Sequence, residues 1–228
     1  MNLIIPLLGK SKSRLYNKKV FNNKKSQKVF LLDLIFDNYS FCDKIFLITT
    51  RKDIKKKIIN FNKKSNVEII CSNKTPNILA TLLKVKRKIN FDNKILVLNP
   101  DSYFTFNKKL TILKNNQHGI FYSINQKDIY RKFGAKDTFI LSKEDKIKRV
   151  LYKSNPPFKN KVSAGLYLFK EWRILINEID ILNKNKLKKK NFANLLDQIS
   201  RKYNFISKSI DNFVCFETDN KLKEYEFW

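Results

Sequence analysis

The chain has 228 residues, of which 48 are Lys or Arg and 20 are Asp or Glu, so its formal net charge is +28. This length is enough for one large domain with a sizeable core. A single histidine and three scattered cysteines argue against the common zinc sites and histidine-based triads, and the unpaired cysteine count suits a reducing cytoplasm. No apolar run approaches the length of a membrane span, and Met1–Leu8 lacks the basic flank and cleavage site of a signal peptide.

The positive charge by itself would indicate a nucleic-acid partner. The lysines, however, occur together with many asparagines, isoleucines and phenylalanines and only 4 glycines, which is the residue bias of an AT-rich coding sequence. They are also spread over almost every polar segment, so we interpret runs such as 53–57 and 187–190 as solvated helix faces. We therefore expect no specific nucleic-acid partner, while attraction to polyanions at low salt, or to a nucleoside triphosphate, stays open.

Short apolar runs alternate with helical patterns through the first half of the chain. Strands are predicted at Asn2–Leu8, Lys44–Thr50, Val67–Cys71 and Ile95–Leu98, and helices at Gln27–Tyr39, Arg51–Phe61 and from the Thr75-Pro76 start signal through Val85. This β-α-β alternation predicts a parallel sheet covered by helices on both faces.

The second half of the chain lacks this regular alternation of strands and helices. Strands are predicted at Gly119–Ile124, Asp137–Leu141, Ile147–Tyr152, Val162–Phe169 and Asn212–Phe216, a hairpin turn at Ser142–Asp145, and helices at Glu171–Leu182, Asn191–Tyr203 and Asp219–Phe227. With no repeat and no flexible linker, we expect a single α/β domain over 1–228. The expected fold is a Rossmann-like three-layer sandwich whose central sheet is mostly parallel, with one antiparallel hairpin.

Two segments carry candidate chemistry. Asp101 follows the buried run Ile95–Leu98 after Asn99-Pro100, and ligands of open α/β sheets bind beyond the carboxyl ends of the strands. Asp101 could therefore meet a metal or a substrate, although Pro-Asp-Ser is also ordinary turn chemistry. The loop after the first strand contains Gly9, Arg14 and Lys18, whose backbone and cations could surround an anion, or could simply be solvated.

The order of these segments resembles the sugar-phosphate nucleotidyltransferases, enzymes with a GT-A-like fold. The resemblance rests on Gly9, Ser13, Arg14 and Leu15 in the first loop, Thr75-Pro76-Asn77, the strand-end segment Asn99–Tyr103, Tyr130–Gly134, Tyr152-Lys153, Ser163–Tyr167 and the closing segment Phe216–Tyr225. It covers nearly the whole chain, and its specificity lies in the order and spacing of the segments, because no single motif is intact.

The resemblance implies an enzyme that joins a sugar phosphate to an NTP and releases pyrophosphate, for surface polysaccharide precursors. Residues 1–105 would form the nucleotide-binding half and residues 106–228 the sugar-binding half. The implied nucleotide-binding residues are Leu8, Gly9, Ser13, Thr75 and Asn77, with Arg14 and Lys18 on the phosphates. Asp101, with Glu217 as the possible second ligand, would hold Mg²⁺, and Gly134, Lys153 and Gly165 would bind the sugar phosphate.

Several positions depart from the family pattern. The second loop glycine is missing, Tyr152 replaces a glutamate, and Cys215 falls where many members have a second metal aspartate. Either Asp101 works with Glu217, or the site has lost a ligand. Two further classes therefore stay open: a degenerate homologue that binds nucleotide or sugar without catalysis, and a GT-A glycosyltransferase, which the single aspartate at the strand end disfavours.

Overall fold

The computed structural model describes residues 1–8, 19–22, 27–55, 64–99, 102–104, 106–125, 138–152, 161–184, 191–211 and 213–215. The strands are β1 (Asn2–Pro6), β2 (Lys19–Asn22), β3 (Gln27–Phe30), β4 (Lys44–Thr49), β5 (Val67–Cys71), β6 (Ile95–Leu98), β7 (Ser102–Tyr103), β8 (Gly119–Asn125), β9 (Thr138–Lys143), β10 (Lys146–Tyr152), β11 (Lys161–Phe169), β12 (Phe205–Ser209) and β13 (Val214–Cys215). The helices are α1 (Leu31–Asn38), α2 (Arg51–Lys55), α3 (Ile78–Leu82), α4 (Trp172–Lys184) and α5 (Phe192–Lys202), with 3-10 helices at Leu83–Lys88 and Lys108–Thr111.

Within these residues, nine strands form one mixed sheet in the order β5-β4-β1-β6-β11-β8-β12-β10-β9. The strands β5, β4, β1 and β6 are mutually parallel, as their alternation with helical segments predicts. β11 then runs antiparallel to both β6 and β8. β11 also pairs with β9, so β11, β8, β12, β10 and β9 close into a five-stranded barrel.

The predicted fold class is therefore wrong. The sheet is not a mostly parallel Rossmann-like sandwich with one added hairpin, because half of it is a closed barrel built largely from antiparallel pairs. In the second half the parallel pair is β8 with β12. The error arises because closure depends on the pairing of β9 with β11, which no local periodicity reveals.

Two apolar cores lie on opposite faces of the sheet. The alternation along β1 shows the division, since Leu3 and Ile5 point into one core and Ile4 points into the other. The first core is covered by α1 and by the segment containing Phe104 and Phe106. The second is covered by α3, α4 and α5. No helix among the described residues combines the length and the apolar character that crossing a bilayer requires.

The neighbouring strands leave no room for a side chain at Gly119, the first residue of β8. A Cβ added there would overlap the carbonyl oxygen of Leu168 and the ring of Phe205, which belong to the neighbouring strands β11 and β12. Deeper in the barrel, the hydroxyl groups of Ser123 and Ser207 lie 2.8 Å apart and bond to each other although both residues are buried. These contacts fix the register of β8 against β12.

Several local predictions change in the structure. The predicted helix Gln27–Tyr39 begins only at Leu31, because Gln27–Phe30 pairs with Lys19–Asn22 as an antiparallel hairpin. The strand Phe205–Ser209 was missed. The hairpin turn is confirmed, since Glu144 and Asp145 adopt positive φ between β9 and β10. The predicted helix Asp219–Phe227 lies outside the described residues.

Candidate active site

The parallel half of the sheet places four strand ends at one edge. β1, β4 and β6 pair in parallel register, with Ile4 opposite both Phe46 and Val97. The chain leaves β1 through Leu7, whose backbone N–H donates to the Ile48 carbonyl at 2.8 Å. The predicted nucleotide-binding residue Leu8 follows at this edge and is buried. The other predicted residues of this loop, Gly9, Ser13, Arg14 and Lys18, lie outside the described residues.

Thr75 and Asn77 lie between β5 and α3, beside the same edge. The Asn77 side-chain oxygen accepts the Ala80 backbone N–H at 3.0 Å, so Asn77, and not Thr75, caps this helix. The Thr75 hydroxyl lies 2.5 Å from the Thr81 hydroxyl and 3.3 Å from the Asn77 carbonyl oxygen. Both residues therefore stabilise the loop, and their contact with a nucleotide stays a prediction.

The end of β6 is tied to a bulge in β11. The Asn99 backbone N–H donates to the Gly165 carbonyl at 2.6 Å. In β11, the register against β8 shifts between Ser163 and Tyr167, so this segment bulges out of the regular ladder. Gly165 has a φ of 75°, which a side chain rarely permits. The strand end that precedes Asp101 and the predicted sugar-binding glycine are thus held together.

Inside the bulge, Ser163 organises the backbone. Its hydroxyl lies 2.7 Å from the Tyr167 hydroxyl and accepts the Gly165 N–H at 3.2 Å. Neither Ser163 nor Asn99 was among the predicted binding residues, although both stand within the segments that carry the resemblance. Only the structure shows the hydrogen bonds by which these two residues contact Gly165 in the bulge.

A second, two-stranded ladder lies just beyond β6. β7 pairs with β13 in antiparallel register, with Val214 opposite Tyr103 and Cys215 opposite Ser102. Ser102, which follows the predicted ligand Asp101 in the chain, is therefore paired with Cys215, which lies two positions before the predicted ligand Glu217. Asp101 and Glu217, the predicted ligands themselves, lie outside the described residues, as do Gly134 and Lys153. Among the residues that are described, no group of three His, Cys, Asp or Glu side chains could hold a metal ion.

No protein-family model matches the chain, and no curated protein sequence matches it. The structure is similar to that of a nucleoside-diphosphate-sugar pyrophosphorylase from Vibrio cholerae RC9, with 14% identity, a TM-score of 0.69 and coverage of 99% of this chain and 100% of that chain. It is also similar to a protein from Bacillus anthracis assigned as a glucose-1-phosphate thymidylyltransferase, with 13% identity, a TM-score of 0.68 and coverage of 99% and 93%.

At these identities the comparison establishes a shared fold. The similarity extends over almost the whole of all three chains. The parallel strands, the antiparallel barrel strands and the candidate site edge are all included in that coverage. The chain therefore has the fold of these two proteins.

Proposed function

We propose that this chain is a nucleotidyltransferase that joins a sugar phosphate, or a similar phosphorylated acceptor, to a nucleoside triphosphate and releases pyrophosphate. The main support is the fold similarity, which covers 99% of the chain in both comparisons and includes a protein described as a nucleoside-diphosphate-sugar pyrophosphorylase. The segments that resemble the family also follow the order in which this fold would use them.

In the proposed reaction, an oxygen of the acceptor phosphate attacks the α-phosphorus of the NTP. A new P–O bond forms while the bond to the β-phosphate oxygen breaks, and the electron pair leaves with pyrophosphate. The protein supplies positioning and charge stabilisation more than covalent chemistry. Arg14 and Lys18 would bind the triphosphate, because they lie in the basic loop that follows β1 in the chain.

The other predicted residues divide between the two substrates. Residues 1–105 would bind the nucleotide, with Leu8, Gly9, Ser13, Thr75 and Asn77 as the binding residues. Residues 106–228 would bind the sugar phosphate through Gly134, Lys153 and Gly165. The hydrogen bond from Asn99 to Gly165 supports this division, because it joins the two halves at the point where the substrates would react.

Asp101 and Glu217 are the proposed Mg²⁺ ligands. Carboxylate oxygens are the donors that this hard cation prefers. Support for the pair comes from the ladder of β7 and β13, in which Ser102, next to Asp101, pairs with Cys215, two positions before Glu217. Mg²⁺, when bound, would neutralise charge on the phosphates. We also propose that the enzyme works in the cytoplasm and serves surface polysaccharide synthesis, from the cysteine pattern and the family resemblance respectively.

A second candidate is a homologue that binds nucleotide or sugar phosphate without catalysis. The observation that favours it is the position of Cys215, which stands opposite Ser102 where the resemblance implies a carboxylate. A thiol is a soft ligand and a poor substitute for a carboxylate toward Mg²⁺. In this case the fold would be retained for binding alone.

The test is a pyrophosphate-release assay with each of the common NTPs, a panel of sugar 1-phosphates and Mg²⁺. We expect release with at least one pair of substrates, and its loss in Arg14→Ala and Asp101→Asn. Lys148→Ala, which removes an exposed lysine of β10, should retain the parent rate. Thermal stabilisation by an NTP without release in any combination would favour the binding homologue, whereas neither stabilisation nor release would contradict both candidates.

A further inference from the structure

A basic turn with an exposed isoleucine projects from the first core. The turn is the 3-10 helix Lys108–Thr111 together with Ile112. Lys94, the residue before β6, and Lys208 of β12 approach it. We call this set, Lys94, Lys108, Lys109, Ile112 and Lys208, the lysine turn. An open groove of about 430 Å³ runs along it, lined by Lys94, Lys108, Lys109, Thr111, Ile112 and Leu113.

Internal hydrogen bonds hold the turn in shape. The Leu110 carbonyl accepts the Tyr122 hydroxyl at 2.9 Å, and the Lys108 carbonyl accepts the Thr111 hydroxyl at 2.7 Å. The Lys94 and Lys208 ammonium groups each lie 3.4 Å from carbonyl oxygens of the same turn. Leu110 and Leu113 pack on the first core. The exposed side chains are therefore presented by a turn that is hydrogen-bonded internally and packed on the core.

The charge of this surface is unbalanced. The sequence from Ser102 to Lys127 contains no Asp or Glu. Near Lys94, the carboxylates of Asp92 and Asp43 are already paired, with Arg173 and with the amino group of Met1. Lys108 and Lys109 are exposed and make no ion pair with a described residue. The lysine turn thus presents positive charge that the described part of the chain does not neutralise.

Ile112 is what distinguishes this surface from an ordinary basic one. Its side chain is 65% exposed, more than any other large hydrophobic side chain in the described part of the chain. Leaving such a side chain in water is unfavourable, and placing it at the boundary of a bilayer removes that cost. We propose that the lysine turn docks the protein on an anionic lipid bilayer, with the lysines at the headgroups and Ile112 inserted among them.

The location of the surface suits this role. Lys94 immediately precedes β6, whereas Asn99 and the candidate active site follow the other end of that strand. Docking through the turn leaves the site edge open to substrates. Nucleic acid fits less well, because single strands are bound by aromatic side chains or arginine on which bases stack, and the lysine turn contains neither.

The experiment is vesicle sedimentation with the full chain. Vesicles of phosphatidylcholine alone are compared with vesicles containing about 30 mol% phosphatidylglycerol. We expect binding to the anionic vesicles, weakening as salt rises, and no binding to the neutral ones. Lys108→Glu/Lys109→Glu should reduce binding by about tenfold or more, and Ile112→Ser by about fivefold.

The matched control is Lys84→Glu/Arg87→Glu, the same change of charge in the 3-10 helix Leu83–Lys88, which packs on the second core. It should bind nearly as the parent does. Because all four substituted basic residues are exposed, both double variants should unfold at the same temperature as the parent. An absence of binding to anionic vesicles would overturn the proposal, as would equal losses in the two double variants. So would an unchanged affinity of Ile112→Ser together with tighter binding to single-stranded RNA, which would identify a nucleic-acid surface.

Discussion

Cys215 lies directly opposite Ser102 in the antiparallel ladder of β7 and β13. Ser102 follows Asp101, the residue with which the proposed metal site begins, and Glu217 stands two positions beyond Cys215. The ladder thus pairs the residues just after Asp101 with residues that lie more than 100 positions later in the chain. The question that this pairing leaves about the metal site is which residue near Cys215 supplies the second oxygen ligand.

The first prediction addresses that ligand. In Glu217→Gln, we expect the Mg²⁺ concentration for half-maximal pyrophosphate release to rise by about tenfold or more, because a neutral amide binds the cation more weakly than a carboxylate. Cys215→Ser should change it by less than about twofold, since neither a thiol nor a neutral hydroxyl supplies the charged oxygen of a carboxylate. Titration of Mg²⁺ in the assay measures both. A shift in the cysteine variant alone would remove Glu217 from the site.

The second prediction concerns the bulge in β11. Gly165→Ala should lower the free energy of unfolding by about 1–2 kcal/mol, because alanine is strained at a φ of 75°. If the proposed function holds, pyrophosphate release should fall as well, since the Gly165 carbonyl accepts a hydrogen bond from Asn99 at the end of β6. Urea denaturation and the activity assay give the two values. An unchanged stability would mean that the bulge adapts to a side chain.

A third prediction concerns the contact between α4 and α5. The Glu178 side chain is only 3% exposed, and Lys202 donates to its two oxygens at 2.9 and 2.8 Å, with Gln198 at 2.9 Å. Lys202→Gln should destabilise the protein by about 1–3 kcal/mol, because it leaves a buried carboxylate without its cation; this is less than for a fully buried pair, since Lys202 is partly exposed. Urea denaturation compares it with Lys148→Gln, an exposed control that should lie within about 0.5 kcal/mol of the parent.

The fourth prediction follows from Asp197 on α5. Partial burial by itself raises the pKa of this carboxyl, but hydrogen bonds from the Val150 backbone N–H, Arg201 and Arg149 outweigh it and hold the pKa below its usual value. A lowered folded-state pKa stabilises the fold above the unfolded-state pKa of about 3.9, and this contribution disappears as pH falls through the folded-state value.

Asp197→Asn should therefore be less stable than the parent at neutral pH, by about 1 kcal/mol. The difference should begin to shrink below about pH 4, where Asp197 of the unfolded chain takes up a proton, and it should be lost once the pH falls below the lowered pKa of the folded state. Denaturation series at neutral and acidic pH measure it. A difference that stays constant with pH would show that the substitution acts through packing and not through the charge.

The local sequence pattern was enough to predict the strands of the parallel half of the sheet. The apolar runs that became β1, β4, β5 and β6 are bounded by polar or turn-forming residues, and their side chains are buried wherever a strand is covered on both faces. The strand β12 was not predicted, because Ser207 and Lys208 interrupt its apolar residues. In the barrel, Ser207 is buried against Ser123, and that pairing exists only after both strands are in place.

The sequence by itself determined which segments are strands in the parallel half and that a carboxylate follows the strand Ile95–Leu98. Short-range properties decide these features: burial periodicity, turn chemistry and chain order. Only the tertiary structure decided that β9 pairs with β11 to close a barrel, that Gly165 is held against Asn99, and that Cys215 faces Ser102. Each of these joins residues far apart in the chain, and the register of such pairs is set by the packing of the whole sheet.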